Sequence, residues 1–159
     1  MLVVVLVGAC ARHAAPPAGT LRGTIIFPPH DTIPFDLPAA MHRCSLGHSL
    51  LLEGVGYDGS GVMLRLRFPD SVPADSVPII LPTDTTTPAG ASVAVRYFVH
   101  DTPHSTALDS GSVYVQRQAG MIGARIVGTG IENAIHTPTR LEFRNVAWAS
   151  DTVPCTYAP

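Results

Sequence analysis

Lysine is absent from this chain, and charged residues of either sign are few. All ten basic residues are arginine, charged residues make up 14 % of the 159 residues, and the net charge is −2. A nucleic acid partner requires concentrated cationic surface, which scattered arginines do not supply, so we expect none. Without lysine, Schiff-base catalysis and the lysine of a phosphate-binding P-loop are excluded as well.

Long helical stretches are also missing. Fifteen prolines are spread along the chain, and one proline inside a helix costs about 3 kcal/mol. The two longest proline-free stretches, 39–68 and 104–137, alternate between apolar and polar residues, which is typical of strands. The chain length and a hydrophobic content of 46 % fit one globular domain with its own core.

Eight segments have the period-two pattern of strands and are separated by turn residues. Asp58-Gly59-Ser60 and Ala119-Gly120 predict two hairpins, because these residues tolerate the positive φ of tight turns. We therefore expect an all-β fold, a single antiparallel β-sandwich or Greek-key barrel of about eight strands. The predicted strands cover 20–27, 49–57, 61–68, 77–81, 91–100, 112–118, 121–129 and 140–148.

The first ten residues, MLVVVLVGAC, place a short apolar run directly before two small residues and a cysteine. Val7-Gly8-Ala9-Cys10 resembles the lipobox of bacterial lipoproteins, and the resemblance covers this segment alone. It implies a lipid on the Cys10 sulfur and cleavage before Cys10. The apolar run is short and no basic segment precedes it, so we expect translation to start further upstream. The alternative is a buried N-terminal strand of the folded body.

The resemblance implies a signal segment at 1–9 and a lipidated cysteine at 10. The composition and the strand pattern then predict a flexible tether, so that 10–19 is the lipidated cysteine with its tether, and a β domain at 20–159. The small and proline-rich residues at 11–19 fit a tether. The implied location is the bacterial cell envelope, with the lipid holding the protein on a membrane. Ala11 replaces the Asp that retains some lipoproteins in the inner membrane, which indicates the outer membrane. The expected partner is an envelope protein or a small ligand.

Three cysteines leave an even pair, Cys44 and Cys155, once Cys10 carries lipid. An oxidising envelope favours a disulfide between them. Such a bridge closes a loop of about 110 residues, for which chain entropy gives an upper figure of about 5 kcal/mol. The alternative is a pair of buried free thiols.

Arg65 and Arg67 are the candidate ligand-binding residues. They alternate with apolar residues in the segment 61–68, so both lie on the same face of the strand. That face is either a groove that recognises an anionic group or a solvated surface on which arginine maintains solubility.

Candidate catalytic and metal residues are less well supported. Residues 108–112, LDSGS, resemble the Asp-Ser-Gly element of aspartic proteases, with Asp109 as the acid, but no second copy is present and a β-turn is the favoured interpretation. His42, Cys44 and His48 are close in sequence but match no metal-site spacing. We expect no catalytic residue, no metal and no cofactor.

The leading functional hypothesis is an exported, lipid-anchored envelope protein whose domain is a non-enzymatic interaction or structural module. The second is a carrier that binds a small molecule or carbohydrate in a barrel mouth or on a sheet face. The third is an enzyme resembling an aspartic protease. A carrier requires an apolar cavity open at one end, whereas an interaction module requires an exposed apolar patch or an unprotected edge strand.

Overall fold

A computed structural model describes residues 19–29, 31–45 and 47–155, and it contains ten strands. The proposed lipidation site, Cys10, and the signal segment lie outside the described residues. Within the described part of the chain, no helix is long and apolar enough to cross a membrane. The strands are β1 Thr20–Phe27, β2 Asp31–Cys44, β3 Ser49–Val55, β4 Gly61–Arg67, β5 Ser76–Pro78, β6 Gly90–Val99, β7 Thr102–Gln118, β8 Met121–Glu132, β9 Ile135–Ala147 and β10 Thr152–Val153.

Eight of these strands form a closed antiparallel barrel. Each of β1, β2, β3, β4, β6, β7, β8 and β9 pairs with the next, and β9 pairs back onto β1. The prediction of one all-β domain with about eight antiparallel strands is confirmed. Neighbours in the barrel follow one another along the chain, so the connection is up-and-down, and the described strands contain no Greek-key crossover.

The two remaining strands are short and lie beside longer ones. Strand β5 pairs with the C-terminal half of β7, and β10 runs parallel to the end of β2. Next to β10, the Cys44–Cys155 disulfide joins the C-terminal segment to β2, with the two Cα atoms 5.2 Å apart. The predicted pairing of these cysteines is confirmed.

Strand β2 was not predicted, because it contains Pro34 and Pro38. Its first half, which carries both prolines, pairs with β1, whereas residues 39–43 pair with β3. A proline cannot donate to a strand neighbour, but it is tolerated where a strand has a neighbour on one side only. The prolines therefore lie in the part of β2 that does not need a donor on both sides.

The Asp-Ser-Gly segment is part of β7 and not a turn between strands, which corrects the sequence interpretation. A β-bulge lies between Leu108 and Ser110, where the register against β8 shifts. Gly111 has a φ of 123°, and a Cβ at this position would overlap the Val127 carbonyl oxygen. The Asp-Ser-Gly composition is typical of a turn, but in this protein it allows a bend within one long strand.

The barrel interior is filled by side chains. Alternate residues of each strand point inward and interlock in one hydrophobic cluster. Close packing of this kind leaves no lumen, as is common in eight-stranded barrels. The largest fully buried side chains are Tyr97, Phe143, Leu21, Ile25, Met41, Leu52, Leu64, Leu66, Leu108, Ile122, Ile126 and Leu141.

Side chains also cover both ends of the barrel. At the end where β1 begins, the β4–β6 connection contributes Val72, Val77 and Ile79, all under 9 % exposed, to the core. At the other end, the inward-facing series finishes with Phe27 and Tyr97, whose ring centroids are 6.3 Å apart. The fold therefore offers its binding surfaces on the outside.

Candidate functional site

The outer face of β4 carries the residues that the sequence singled out. Val62, Leu64 and Leu66 are fully buried in the core, so the alternation turns Met63, Arg65 and Arg67 outward. Strands β3 and β6 flank β4 on its two sides. Two neighbouring hollows lie along this face, one apolar and one cationic.

The first hollow, here called the apolar depression, is a solvent-open cavity of about 430 Å³. Small residues on three adjacent strands line it: Ala94 of β6 pairs in register with Ala107 of β7, and Gly61 of β4 lies two residues before Met63, the partner of Ala94 on β4. Val55, at 55 % exposed, and Met63, at 39 %, stand beside it. A glycine and two alanines close together on the outer wall thus leave a hollow beside larger apolar side chains.

An exposed aromatic residue lies close to this depression. Tyr57 is fully solvent-exposed and belongs to the same β3–β4 turn as Gly59 and Ser60, which line the depression. Asp58 fixes this turn, because its carboxylate accepts hydrogen bonds from the Ser60 amide at 2.9 Å and the Ser60 hydroxyl at 2.7 Å. These bonds also hold the pKa of Asp58 below its usual value.

The second hollow, here called the arginine pocket, has a volume of about 420 Å³. Arg65 and Arg67 line it together with His48, Ser49 and Phe68. Its lining among the described residues also includes Gly47, Pro69 and Pro88, and it contains no acidic side chain.

The two arginines of this pocket have different surroundings. Arg67 donates from Nη1 to the Asp84 carbonyl oxygen at 2.7 Å and from Nη2 to the Thr87 carbonyl oxygen, so it holds the β4–β6 connection. Arg65 lies between Leu51 of β3 and Ser92 of β6 in register and is half-buried. The Nε atoms of both arginines are shielded from solvent and have no hydrogen-bond partner among the described residues.

His48 completes the wall of the arginine pocket. Its Nδ1 donates a hydrogen bond to the Pro69 carbonyl oxygen at 2.6 Å, because the carbonyl can only accept. Its ring lies 6.2 Å from that of Phe68. This hydrogen bond fixes the ring orientation, so Nε2 is the ring nitrogen that could contact a ligand.

No family model, curated protein or solved structure matches this chain. Function is therefore inferred from the geometry of these sites and from the sequence.

A histidine between two carboxylates joins the C-terminal segment to the barrel. His42 Nδ1 lies 2.6 Å from Asp151 Oδ2, and His42 Nε2 lies 3.1 Å from Glu53 Oε1. The hydrogen bond to Asp151 is the main cause that raises the pKa of His42, with Glu53 adding to it. Both ring nitrogens are occupied, and the neighbouring Cys44 is in the disulfide, so the pattern of His42, Cys44 and His48 forms no metal centre. The described residues contain no group of three or more His, Cys, Asp or Glu arranged to hold a metal ion.

A polar cluster closes one end of the barrel. Tyr97 donates from its hydroxyl to Glu132 Oε2 at 2.8 Å, and His104 Nδ1 lies 2.9 Å from Glu132 Oε1. The rings of Tyr97 and His104 stack with centroids 5.4 Å apart, and Phe27 packs on His104 at 4.8 Å. Burial, followed by the Glu132 carboxylate, raises the pKa of Tyr97, so the phenol remains a neutral donor.

Asp109, the candidate acid of the protease resemblance, lies exposed on β7. Its Oδ1 accepts a hydrogen bond from the Ser110 hydroxyl at 3.0 Å. The carboxylate faces solvent beside the bulge, and within the described part of the chain no salt bridge involves it.

The sequence identified Arg65 and Arg67 but not the apolar depression or the polar cluster. Glycine and alanine at 61, 94 and 107 are separated by up to 46 residues along the chain, and only the strand register brings them together. The sequence would predict the depression only if the order and the register of these strands were known beforehand. The polar cluster depends in the same way on which barrel end each strand reaches.

Proposed function

We propose that this chain is an exported, lipid-anchored envelope protein whose barrel is a non-enzymatic interaction module. Its partner is a polypeptide that docks on the apolar depression. The observation that carries the proposal is a solvent-open apolar hollow on the outer wall of a barrel whose interior is filled. Contiguous exposed apolar surface on a small domain is a common mark of a docking site.

The filled interior favours this proposal over the carrier hypothesis. A carrier holds its ligand in a lumen that opens at one barrel end. Here Leu21, Leu64 and Tyr97 occupy the interior with no measurable exposure, and both ends are covered. A ligand would have to displace packed side chains, each of which gains about 1.5–3 kcal/mol from burial.

The form of the depression favours a polypeptide partner. Its floor of small residues lets another backbone approach the sheet closely, while Val55 and Met63 provide apolar contact at its side. Tyr57 stands free at the adjacent turn, and tyrosine is enriched among residues that dominate binding energy. Arg96, which lines the depression and lies 6.0 Å from the Phe98 ring, adds a positive charge.

Cysteine use supports the envelope setting. The Cys44–Cys155 disulfide is the form expected in an oxidising compartment. It also leaves Cys10 as the one remaining cysteine of the sequence, at the lipidated position of the lipobox-like segment. Export and lipidation thus account for all three cysteines.

Site-specific photo-crosslinking in the native host tests the docking surface. A photoreactive residue at position 94 lies in the depression, and one at position 140, on β9 across the barrel from β4, is the matched control. We expect one discrete protein adduct from position 94 and none from position 140. Ala107→Arg should remove the adduct by filling the depression, whereas Ala147→Arg, at an exposed position, should leave it.

Two outcomes would contradict the proposal. Adducts of equal yield from both positions would show contact without a preferred face. An adduct that survives Ala107→Arg would show that the depression does not hold the partner.

A further inference from the structure

We propose that the arginine pocket binds an oxoanion, a carboxylate or phosphate group, between the side chains of Arg65 and Arg67. This site is separate from the apolar depression, so either proposal can fail without the other. Its ligand chemistry follows from donors that the fold buries and leaves unused.

The two unpaired Nε atoms are the first observation. Both are shielded from solvent and have no partner among the described residues. Native proteins leave few buried donors unpaired, because such a group loses its water without gaining a bond in return. Two such donors beneath one pocket are therefore an unusual cost, which is removed if a small shift of the side chains turns both Nε–H groups toward a bound anion.

The charge of the pocket is the second observation. Its described lining carries the two guanidinium groups and no acidic side chain. The nearest carboxylate to Arg67 is Asp84, whose Oδ1 lies 4.0 Å from Nη2. That carboxylate already accepts from Thr87 Oγ1 at 2.5 Å and from the Thr86 amide at 2.7 Å, and these contacts lower the pKa of Asp84.

The rigidity of Arg67 is the third observation. Two carbonyl oxygens, of Asp84 and Thr87, hold its Nη atoms, and its side chain is only 29 % exposed. A fixed guanidinium loses little freedom when it binds, which favours recognition of a planar or tetrahedral anion. Arg65, two residues away on the same face, places its own group about 7 Å further along the strand.

A solubility role for the arginines does not account for these features. An arginine that only keeps a surface solvated holds its whole guanidinium in water. Here Nε of each side chain is withdrawn from water, and both side chains face one cavity of about 420 Å³. That volume accommodates an anionic group together with part of the molecule that carries it.

Anion titration followed by NMR tests the site. The probes are sodium phosphate and sodium acetate, each added at constant ionic strength against sodium chloride. We expect saturable shifts of the Nε–Hε signals of Arg65 and Arg67, with the signal of Arg43, an exposed arginine on β2, unchanged as the control. The stronger of the two probes identifies a phosphate-bearing or a carboxylate-bearing ligand.

Thermal unfolding of a variant gives a second readout. Arg65→Met keeps an unbranched apolar stem and removes the guanidinium with its orphan donor, so its midpoint in chloride should equal or exceed that of the wild type. Phosphate or acetate should raise the wild-type midpoint but not that of Arg65→Met, since binding stabilises only a folded state that has the site. Arg43→Met should respond as the wild type does.

The proposal is overturned if the Arg65 and Arg67 signals do not move, or if they move equally with chloride. It is overturned as well if Arg65→Met keeps the full response to both probes.

Discussion

Tyr97 is the largest fully buried side chain of the barrel, yet it ends in a hydroxyl that must find an acceptor. Glu132 supplies this acceptor, and His104 occupies the other oxygen of the same carboxylate. A half-buried carboxylate is acceptable only because both of its oxygens have partners. At the residue scale, a polar side chain can be buried in this barrel only where such a hydrogen-bond partner is present.

Removing the Tyr97 hydroxyl tests this pairing. Tyr97→Phe keeps the ring but leaves Glu132 Oε2 short of a donor, and we expect a loss of about 1–3 kcal/mol in the free energy of unfolding. Tyr114→Phe is the control, since Tyr114 is 39 % exposed and stacks under Arg125. Urea denaturation of both variants measures the difference. Equal small losses in the two would contradict a stabilising role for the bond.

His42 makes the stability depend on pH. Its pKa is raised in the folded protein, chiefly by the hydrogen bond to Asp151, so the protonated form favours folding. This contribution is complete below the unfolded-state value of about 6.5 and is lost as pH rises through the higher folded-state value. We expect the thermal midpoint of the wild type to fall over that interval more than the midpoint of His42→Asn does. Parallel curves for the two proteins would contradict this.

At the scale of strands, the regular alternation could be predicted and its interruptions could not. Strand β1 has the predicted bounds, and the hairpin turns at 58–60 and 119–120 are where the sequence places them. Strand β2 was not predicted, because the prolines within it indicate the end of a strand. On β9, strict alternation after Leu141 and Phe143 would turn Asn145 inward, but a bulge shifts the register and Val146 takes that place.

The bulge in β7 provides a prediction at this scale. Gly111 combines a positive φ with a close approach to the Val127 carbonyl, so Gly111→Ala meets both strain and overlap. We expect it to lower the free energy of unfolding by at least about 2 kcal/mol. Gly120→Ala is the control, because Gly120 has a φ of 73° but open space around it, and it should cost about 1 kcal/mol. Equal losses in urea unfolding would show that overlap at the bulge is unimportant.

At the scale of the whole molecule, long-range links hold the C-terminal segment on the barrel. The disulfide joins residues 111 positions apart, and the His42–Asp151 contact lies beside it. The cysteine pairing could be predicted from parity and compartment alone. The filled barrel and the two hollows on β4 could not, because they depend on closure of the sheet and on register between distant strands.

Breaking the disulfide tests its part in stability. Cys44→Ser should lower the thermal midpoint under oxidising conditions, with a free-energy loss of up to about 5 kcal/mol because the unfolded chain regains a large loop. In excess reductant the variant and the wild type should unfold alike. The double variant Cys44→Ser with Cys155→Ser should match the single one. A deficit that persists in reductant would assign the loss to packing around Cys44.

The account depends most on export, since the anchor, the disulfide and the envelope partner all require it. Intact mass spectrometry of the protein purified from the membranes of its host tests this directly. We predict a chain that begins at Cys10, carries lipid on that residue and lacks the two hydrogens of the Cys44 and Cys155 thiols. A chain that retains residues 1–9 and has a free thiol at Cys10 would contradict the account.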